Sequence, residues 1–306
     1  MNRSRGSSGS ARGPNPADYR LTVPAAAAGQ SLAVVLSREC LLEPAAARDL
    51  IDFGSVHLDG RQHRDPDTPL GAGQTLQVFW PWDGVRRYYS IDPGRIIYRD
   101  RTLLAYNKEA GIPSQQTPSD GYNNIYEGLK RLLRADRAAA RYVALHHRLD
   151  LGTSGVLLFS LDRRANRQLG AAFQEHRVHK DYLAWVEGCP AAAHGLLDWD
   201  IGRDRGAYRA GPPGTGKPAQ TEYWVLLEGI AASLIWARPR TGRTHQIRLH
   251  LAALGHPVVG DQRYGSHLPG RLMLHAYRLR LTHPISGAAL TFTAPLPLDW
   301  AQPLRA

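Results

Sequence analysis

The chain has 306 residues and carries 38 Lys and Arg against 27 Asp and Glu, a formal net charge of +11. That length supports a sizeable core divided between a small and a large unit, and the basic surplus favours a polyanionic partner, because each cation set against a phosphate releases a counterion. Only Cys40 and Cys189 carry thiols, which excludes a cysteine zinc cluster, gives no sign of a disulfide framework and suits a reducing, cytoplasmic setting; no apolar run approaches the ~20 residues of a membrane span.

Residues 1–20 are rich in Ser, Gly, Arg and Pro without hydrophobic periodicity, and read as a disordered basic arm rather than a secretory signal. Residues 21–82 form a compact pattern. An apolar stretch over 32–42 precedes Glu43-Pro44, which opens a helix with Ala47, Leu50 and Ile51 on one face and Gly54 at its end. Val56 and Leu58 then alternate into an Asp59-Gly60 turn, with a second strand over 75–80. Residues 83–94, with Asp83-Gly84 and Asp92-Pro93-Gly94, read as a linker. Beyond it come short strands over 95–98 and 103–106, a turn over 107–113 and a basic-faced helix over 126–133. No fixed-period repeat is present, which argues against solenoids and propellers.

The stretch His147-Arg148-Leu149-Asp150-Leu151-Gly152-Thr153-Ser154-Gly155 is a polar, glycine-punctuated turn between apolar runs at 142–145 and 156–161. Those runs have strand length and β-branched or aromatic character, so Asp150 sits on a connector with rigid flanks, a favoured place for catalytic groups. Asp162 then caps an amphipathic helix with Ala165, Leu169, Ala172 and Phe173 on one stripe. The alternation over 180–186 reads as a strand with Tyr182, Ala184 and Val186 on one face. Residues 211–217 match the glycine spacing of a phosphate-binding loop, but Pro218 stands where a magnesium-ligating Ser or Thr is required, and 220–227 reads as a strand rather than a helix. Thr244 is placed to cap a helix running to Leu254, with Ile247, Leu251 and Leu254 buried and Arg248 one turn in. His245 and His250 are five apart with no nearby Glu, which disfavours a metal site.

Several separated phrases together resemble the RluA family of RNA pseudouridine synthases: His147-Arg148-Leu149-Asp150 with Thr153-Ser154-Gly155, Lys180 to Gly188, Gly216 to Tyr223, Thr241 to His250, Gly255 to Gly265, and Leu274-His275-Ala276. The likeness extends over about residues 96–297. Glu109 departs from it, standing where the family has Pro in a turn. The resemblance implies that Asp150 is the nucleophile, that Arg248 pairs with it at close range, and that Tyr182 lies against the target base. It further implies that Arg148 fills the gap left by a flipped uridine, with Arg243 as a phosphate contact. Residues 21–82, with the phrase GSVHLDGR, are similar to a small RNA-binding domain first described in a small-subunit ribosomal protein. The likeness is degenerate: Arg48 is kept on the second helix, but Asp49 and Asp52 replace basic residues.

The expected architecture is α+β: a large, mainly antiparallel mixed sheet over 95–306, with flanking helices and a central cleft, preceded by the small helix-helix-hairpin domain. The expected activity is isomerisation of a uridine in ribosomal or transfer RNA, by a monomer needing no cofactor, metal, nucleotide or membrane. Two other readings are a catalytically inactive RNA-binding protein of the same fold and a nucleotide hydrolase built on 211–217.

Overall fold

A computed structural model of the chain describes residues 19–80, 88–135, 142–204 and 206–300. Their contacts divide into two compact units, one within residues 1–88 and 116–123, the other within 89–115 and 124–306. Residues 1–18 of the expected arm and 83–87 of the expected linker lie outside the described residues.

In the first unit, β1 (Tyr19–Thr22), α1 (Leu32–Glu39), α2 (Pro44–Asp52), β2 (Val56–Leu58), β3 (Arg61–His63) and β4 (Thr75–Val78) follow in order. Pro44 opens α2 because its missing N–H has no partner to lose there, and Ala47, Leu50 and Ile51 are the buried face. Asp59 and Gly60 both have positive φ, 50° and 78°, as a two-residue hairpin turn between β2 and β3 requires. The four strands run antiparallel in the order β1-β4-β2-β3. Two strands escape the sequence pattern. β1 begins at Tyr19, inside the stretch assigned to the arm, and polar β3 (Arg61-Gln62-His63), not the later strand, is the direct hairpin partner of β2. β3 has three polar residues and no apolar alternation, and the four residues of β1, though alternating, are too few to be read alone.

The second unit is built on β5 (Ile96–Arg99), β6 (Leu103–Lys108), α3 (Ile125–Ala135), β7 (Ala144–Leu145), β8 (Ser154–Ser160), α4 (Arg163–Gln174), β9 (His179–Glu187), β10 (His194–Asp198), β11 (Asp200–Asp204), β12 (Ala207–Gly211), β13 (Gln220–Leu227), β14 (Ala232–Pro239), α5 (Gln246–Ala253), β15 (Leu274–Thr282) and β16 (Ala289–Thr293). Ten strands form one sheet in the order β10-β13-β14-β9-β15-β8-β6-β5, with β16 beside β15 and β7 beside β8; β11 and β12 make a separate hairpin. All pairings in the large sheet are antiparallel except that of β15 with β8, so the sheet is mixed and mainly antiparallel, as expected.

Every residue of β8 is buried. Its Leu157 and Phe159 pack with Ile125, Leu129 and Leu133 of α3, while Val156 and Leu158 pack with Ala165 and Leu169 of α4. A strand covered on both sides needs a continuous apolar run, and that is how 156–161 reads. Gly155, at the parallel junction with β15, has φ +113°, and a Cβ there would lie 2.2 Å from the Ala276 carbonyl oxygen, so only glycine lets the two strands meet. The Asp162 carboxylate caps α4 by accepting the Arg164 amide, as its sequence position predicts.

Toward the other end of the sheet, α5 packs Ile247 and Leu251 on Ala184, Ile235 and Ala237. Tyr182 lies at the seam, packed against both the α3 cluster and the α5 cluster. The cleft opens at that seam.

The glycine-rich stretch 211–217 joins β12 to β13 rather than a strand to a helix. The amides of Gly214 and Gly216 donate to Asp200 Oδ2 at 2.7 and 3.3 Å, so a carboxylate of the protein already occupies the position an incoming phosphate would need.

Candidate active site

Asp150 lies on the connector between β7 and β8, and the backbone on both sides of it is tied down. Ser114 Oγ bridges the backbone of Leu149, donating to its carbonyl at 3.0 Å and accepting from its amide at 3.1 Å. Leu151 O accepts from the Gly111 amide at 2.8 Å and from Lys108 Nζ at 3.1 Å. The Lys108 ammonium is fully buried and also donates to the carbonyls of Glu109 and Ile112, each at 2.7 Å. Burial pushes this ammonium down to about 7, opposed by the carboxylates of Glu109 and Asp150. The turn over 107–113 is thus the clamp of the Asp150 loop. Glu109, the departure from the family pattern, points to Tyr89 OH at 2.7 Å and Arg95 Nε at 3.1 Å and leaves that clamp intact.

Arg248, from α5, donates Nη1 to Asp150 Oδ2 at 2.9 Å. Its remaining edge is held by Asp261, with Nε to Oδ2 at 2.6 Å and Nη2 to Oδ1 at 2.8 Å, a two-pronged pair at a buried carboxylate. Burial alone lowers the guanidinium's affinity for its proton; hydrogen bonding and charge from Asp261, then Asp150, more than offset this and raise it above its ordinary value. A permanently charged, orientationally fixed donor therefore faces Asp150. The other carboxylate oxygen, Oδ1, accepts no hydrogen bond from the described residues; the imidazole of His245 lies 3.8 Å from it, and the Asp150 side chain is 27% exposed.

His245 occupies the cap position of α5 with φ +55°, and Thr244, expected to cap that helix, does not. The Gln246 side-chain oxygen instead accepts from Thr241 Oγ1 at 2.7 Å and from the Arg243 amide at 3.0 Å, organising the turn from inside the helix. Thr244 is left lining the cleft. His245 Nδ1 meets Tyr264 OH at 2.6 Å, and burial pushes the imidazole below its usual range, with Asp150 opposing. His250 points elsewhere, its Nε2 on the Trp199 carbonyl at 3.0 Å.

Tyr182 and Lys180 share one side of β9 and line the same cleft of about 640 Å³, together with Asp150, Arg148, Arg243 and Arg248. Burial, then the nearby Asp150 charge, raises the Tyr182 phenol above its ordinary value, so the hydroxyl keeps its proton at neutral pH. Arg148 is exposed; Arg243, also exposed, donates Nε to the Pro218 carbonyl at 3.0 Å. His147 accepts the Leu158 amide of β8 at Nε2, 2.9 Å, and burial lowers its imidazole to about 3. It anchors the connector as a neutral ring.

Every residue singled out from the sequence, Asp150, Tyr182, Arg248, Arg148 and Arg243, lines this one cleft. Sequence reasoning missed Asp261, Lys108 and Lys180. The first two are separated from Asp150 by more than forty residues in either direction or by an intervening strand, and no local pattern marks them. Lys180 carried a signal: two residues from Tyr182 on one strand, it had to share its face.

A large sheet bearing a basic cleft around one partly exposed carboxylate, with an aromatic ring beside it, defines an enzyme that works on a nucleic acid. The profile of the RNA pseudouridylate synthase family matches residues 102–253. The chain is 36% identical over 212 residues to the dual-specificity RNA pseudouridine synthase RluA of Escherichia coli (strain K12), covering 65% of this chain and 92% of that one. It is 34% identical over 310 residues to an uncharacterized RNA pseudouridine synthase of Mycobacterium tuberculosis, covering 94% and 98% of the two. Among solved structures, human RNA pseudouridylate synthase domain containing 4 superposes with a TM-score of 0.59 at 26% identity, covering 69% of this chain and 91% of its own. The chain belongs to the RluA family of RNA pseudouridine synthases, isomerases that act on RNA.

Proposed function

We propose that this enzyme converts a uridine of ribosomal or transfer RNA to pseudouridine in the cytoplasm, with Asp150 as the nucleophile and the target base swung out of its strand into the cleft. The observation that carries this reading is the asymmetry of the Asp150 carboxylate: Oδ2 is held by Arg248 at 2.9 Å, while Oδ1 accepts no hydrogen bond from the described residues and has the His245 imidazole 3.8 Å away. One oxygen fixes the group; the other is available to form a transient bond to the ribose or to take a neighbouring proton. Isomerisation requires breaking the bond from nitrogen-1 of uracil to the ribose, turning the base and joining carbon-5, with no net redox change or hydrolysis, so no cofactor is needed.

Tyr182 is placed to lie against the extruded base, where stacking contributes on the order of 1–3 kcal/mol. Its hydroxyl, protonated at rest, serves in handling the carbon-5 proton. Arg148, exposed at the cleft, is suited to fill the gap left by the extruded base, and Arg243 to contact a phosphate. The substrate class follows the E. coli relative, whose name gives it dual specificity, and the two free thiols suit a reducing compartment. In the small N-terminal unit Arg48 is paired with Asp67 at 2.9 Å, both side chains exposed.

The test is release of tritium from RNA labelled at uridine carbon-5. The wild-type chain releases label without consuming a nucleoside triphosphate, and Asp150→Ala releases none; full-rate release by the variant removes Asp150 from the chemistry. Mapping pseudouridines in ribosomal and transfer RNA from cells with and without the gene identifies the target.

A further inference from the structure

Lys180 is the one cation in the cleft wall for which the chemistry above has no use. Among the described residues it makes no hydrogen bond or ion pair; its nearest aromatic neighbour is Phe173, whose ring centre is 6.0 Å from Nζ. The other charged and titratable groups lining the cleft are Arg148, Asp150, His146, His147, His176, Tyr182, Arg243, His245 and Arg248. None supplies a counterion: the single carboxylate, Asp150, is engaged by Arg248, and the His147 ring accepts a backbone amide. Burial pushes the Lys180 ammonium below its ordinary value. Gly242 lies beside the ammonium, where a Cβ would sit 3.7 Å from Nζ.

A desolvated ammonium without an anion is destabilising to the free protein. Such a group is retained where a ligand supplies the missing charge. Lys180 lies two residues from Tyr182 along β9, a separation of roughly 6.6 Å in an extended strand. A base resting on the tyrosine therefore carries its own sugar-phosphate chain past the lysine.

We propose that Lys180 forms a phosphodiester subsite, pairing with the linkage beside the flipped uridine and so fixing the nucleotide's backbone while its base turns. The inference rests on the pseudouridine synthase reading and deepens it. Pairing of a half-buried cation with one defined phosphate, in contrast to the exposed Arg148 and Arg243, makes the contact specific to the target nucleotide. It also gives the free enzyme a stability deficit that substrate relieves.

The test uses the full chain and a synthetic RNA hairpin spanning the pseudouridine mapped in wild-type reaction products. Lys180→Met weakens hairpin binding by about 10- to 100-fold and reduces the salt dependence of log K by about 0.7, the signature of one lost phosphate contact on a single strand. Lys180→Arg retains most of both. A methylphosphonate placed at the linkages 5′ and 3′ of the target in turn weakens wild-type binding to a similar degree at one of them, and adds nothing to the Lys180→Met loss there. In thermal melts of the free enzyme the Met variant unfolds on the order of 2 °C higher, since a half-buried, uncompensated charge has been removed. The proposal is overturned by an unchanged salt slope, by additive effects of the variant and the neutral linkage, or by a lowered melting temperature with normal binding. Loss of turnover at normal affinity overturns it as well, assigning Lys180 to proton transfer. Tritium release by the wild type, measured first, separates these outcomes from failure of the pseudouridine synthase reading itself.

Discussion

Two carboxylate and guanidinium constellations in the second unit, one on strands β9, β14 and β15 of the large sheet and one on the β7–β8 connector, α5 and the loop at Asp261, have opposite stoichiometry. At Asp181, one buried carboxylate is surrounded by Arg238 at 2.8 Å, Arg278 at 3.0 Å and Arg280 at 3.3 Å, with Trp236 Nε1 at 3.2 Å. In the cleft, one guanidinium is shared by Asp261 and Asp150. Asp181 has both oxygens engaged, and the donors around it, hydrogen bonds and charge together, hold its carboxyl below the usual range although burial pushes it up. Asp150 has one oxygen engaged. A carboxylate with more donors than acceptor sites is a structural tie; one that shares a single donor with a second acid keeps an oxygen for chemistry. Asp181 and Tyr182 are adjacent in sequence, so the alternation of one strand separates the tie from the reaction site.

This contrast can be broken from either end. The largest expected effect is Asp150→Asn, which lowers the rate of pseudouridine formation by at least about 10⁴-fold while shifting stability by about 1 kcal/mol or less, read by tritium release and denaturant melts. Asp181→Asn gives the inverse result: a loss of about 3–5 kcal/mol in unfolding free energy, from three guanidinium groups left without their anion, and near-normal turnover per folded molecule. If Asp181→Asn abolished turnover at full stability, the distinction between the two sites would fail.

Tyr182→Phe keeps the stacking surface and removes the hydroxyl; turnover falls by about 10²- to 10⁴-fold with RNA affinity within a few-fold of wild type. Retained turnover would strip the hydroxyl of any obligatory part in proton transfer. Asp261→Asn sharpens the comparison by freeing the far edge of Arg248. The guanidinium then swings, Asp150 loses its fixed orientation, and turnover falls by about 10²-fold, with a smaller loss in the Asp261→Asn, Arg248→Lys double variant than the product of the two single losses.

The last prediction concerns stability against pH rather than turnover. His147 is neutral in the folded protein, its imidazole lowered by burial, then by Lys180 and His146, from 6.5 to about 3. The unfolded chain binds a proton there that the folded chain refuses, so this contribution is complete above about pH 6.5 and is lost as pH falls toward 3, at up to about 1.4 kcal/mol per pH unit. His147→Gln, which can still accept the Leu158 amide, flattens the acid limb of the stability profile by that increment. An unchanged acid limb would show that the ring is protonated in the fold.

How far the sequence carried the fold depended on the strength of local patterns. The α4 helix, with its Asp162 cap and Ala165-Leu169-Ala172 stripe, and the α2 helix opened by Pro44 were legible because cap and periodicity agree. The start of α5 was not. Thr244 has the chemistry of a cap, but Gln246 reaches back to Thr241 and Arg243 and sets the turn two residues later, a choice made by side chains five residues apart rather than by propensity. β1 escaped because four residues are too few to establish its Tyr19-Leu21 alternation, and β3 because it is short and polar; their pairing partners complete them as strands.

By itself the sequence determined which side chains to propose for the chemistry, Asp150 on a glycine-bounded connector, Tyr182 on a strand and Arg248 on a helix, and held phrases specific enough to name the family. Only the tertiary structure decided what each carboxylate and cation is free to do. Arg248 lies ninety-eight residues beyond Asp150 and thirteen before Asp261, and whether a guanidinium is shared by two acids, or an ammonium is left with none, depends on distances of a few ångströms that chain order does not encode. Electrostatic and hydrogen-bond energies fall steeply over that range, so the same residues in a slightly different packing would be structural ties instead of an active site.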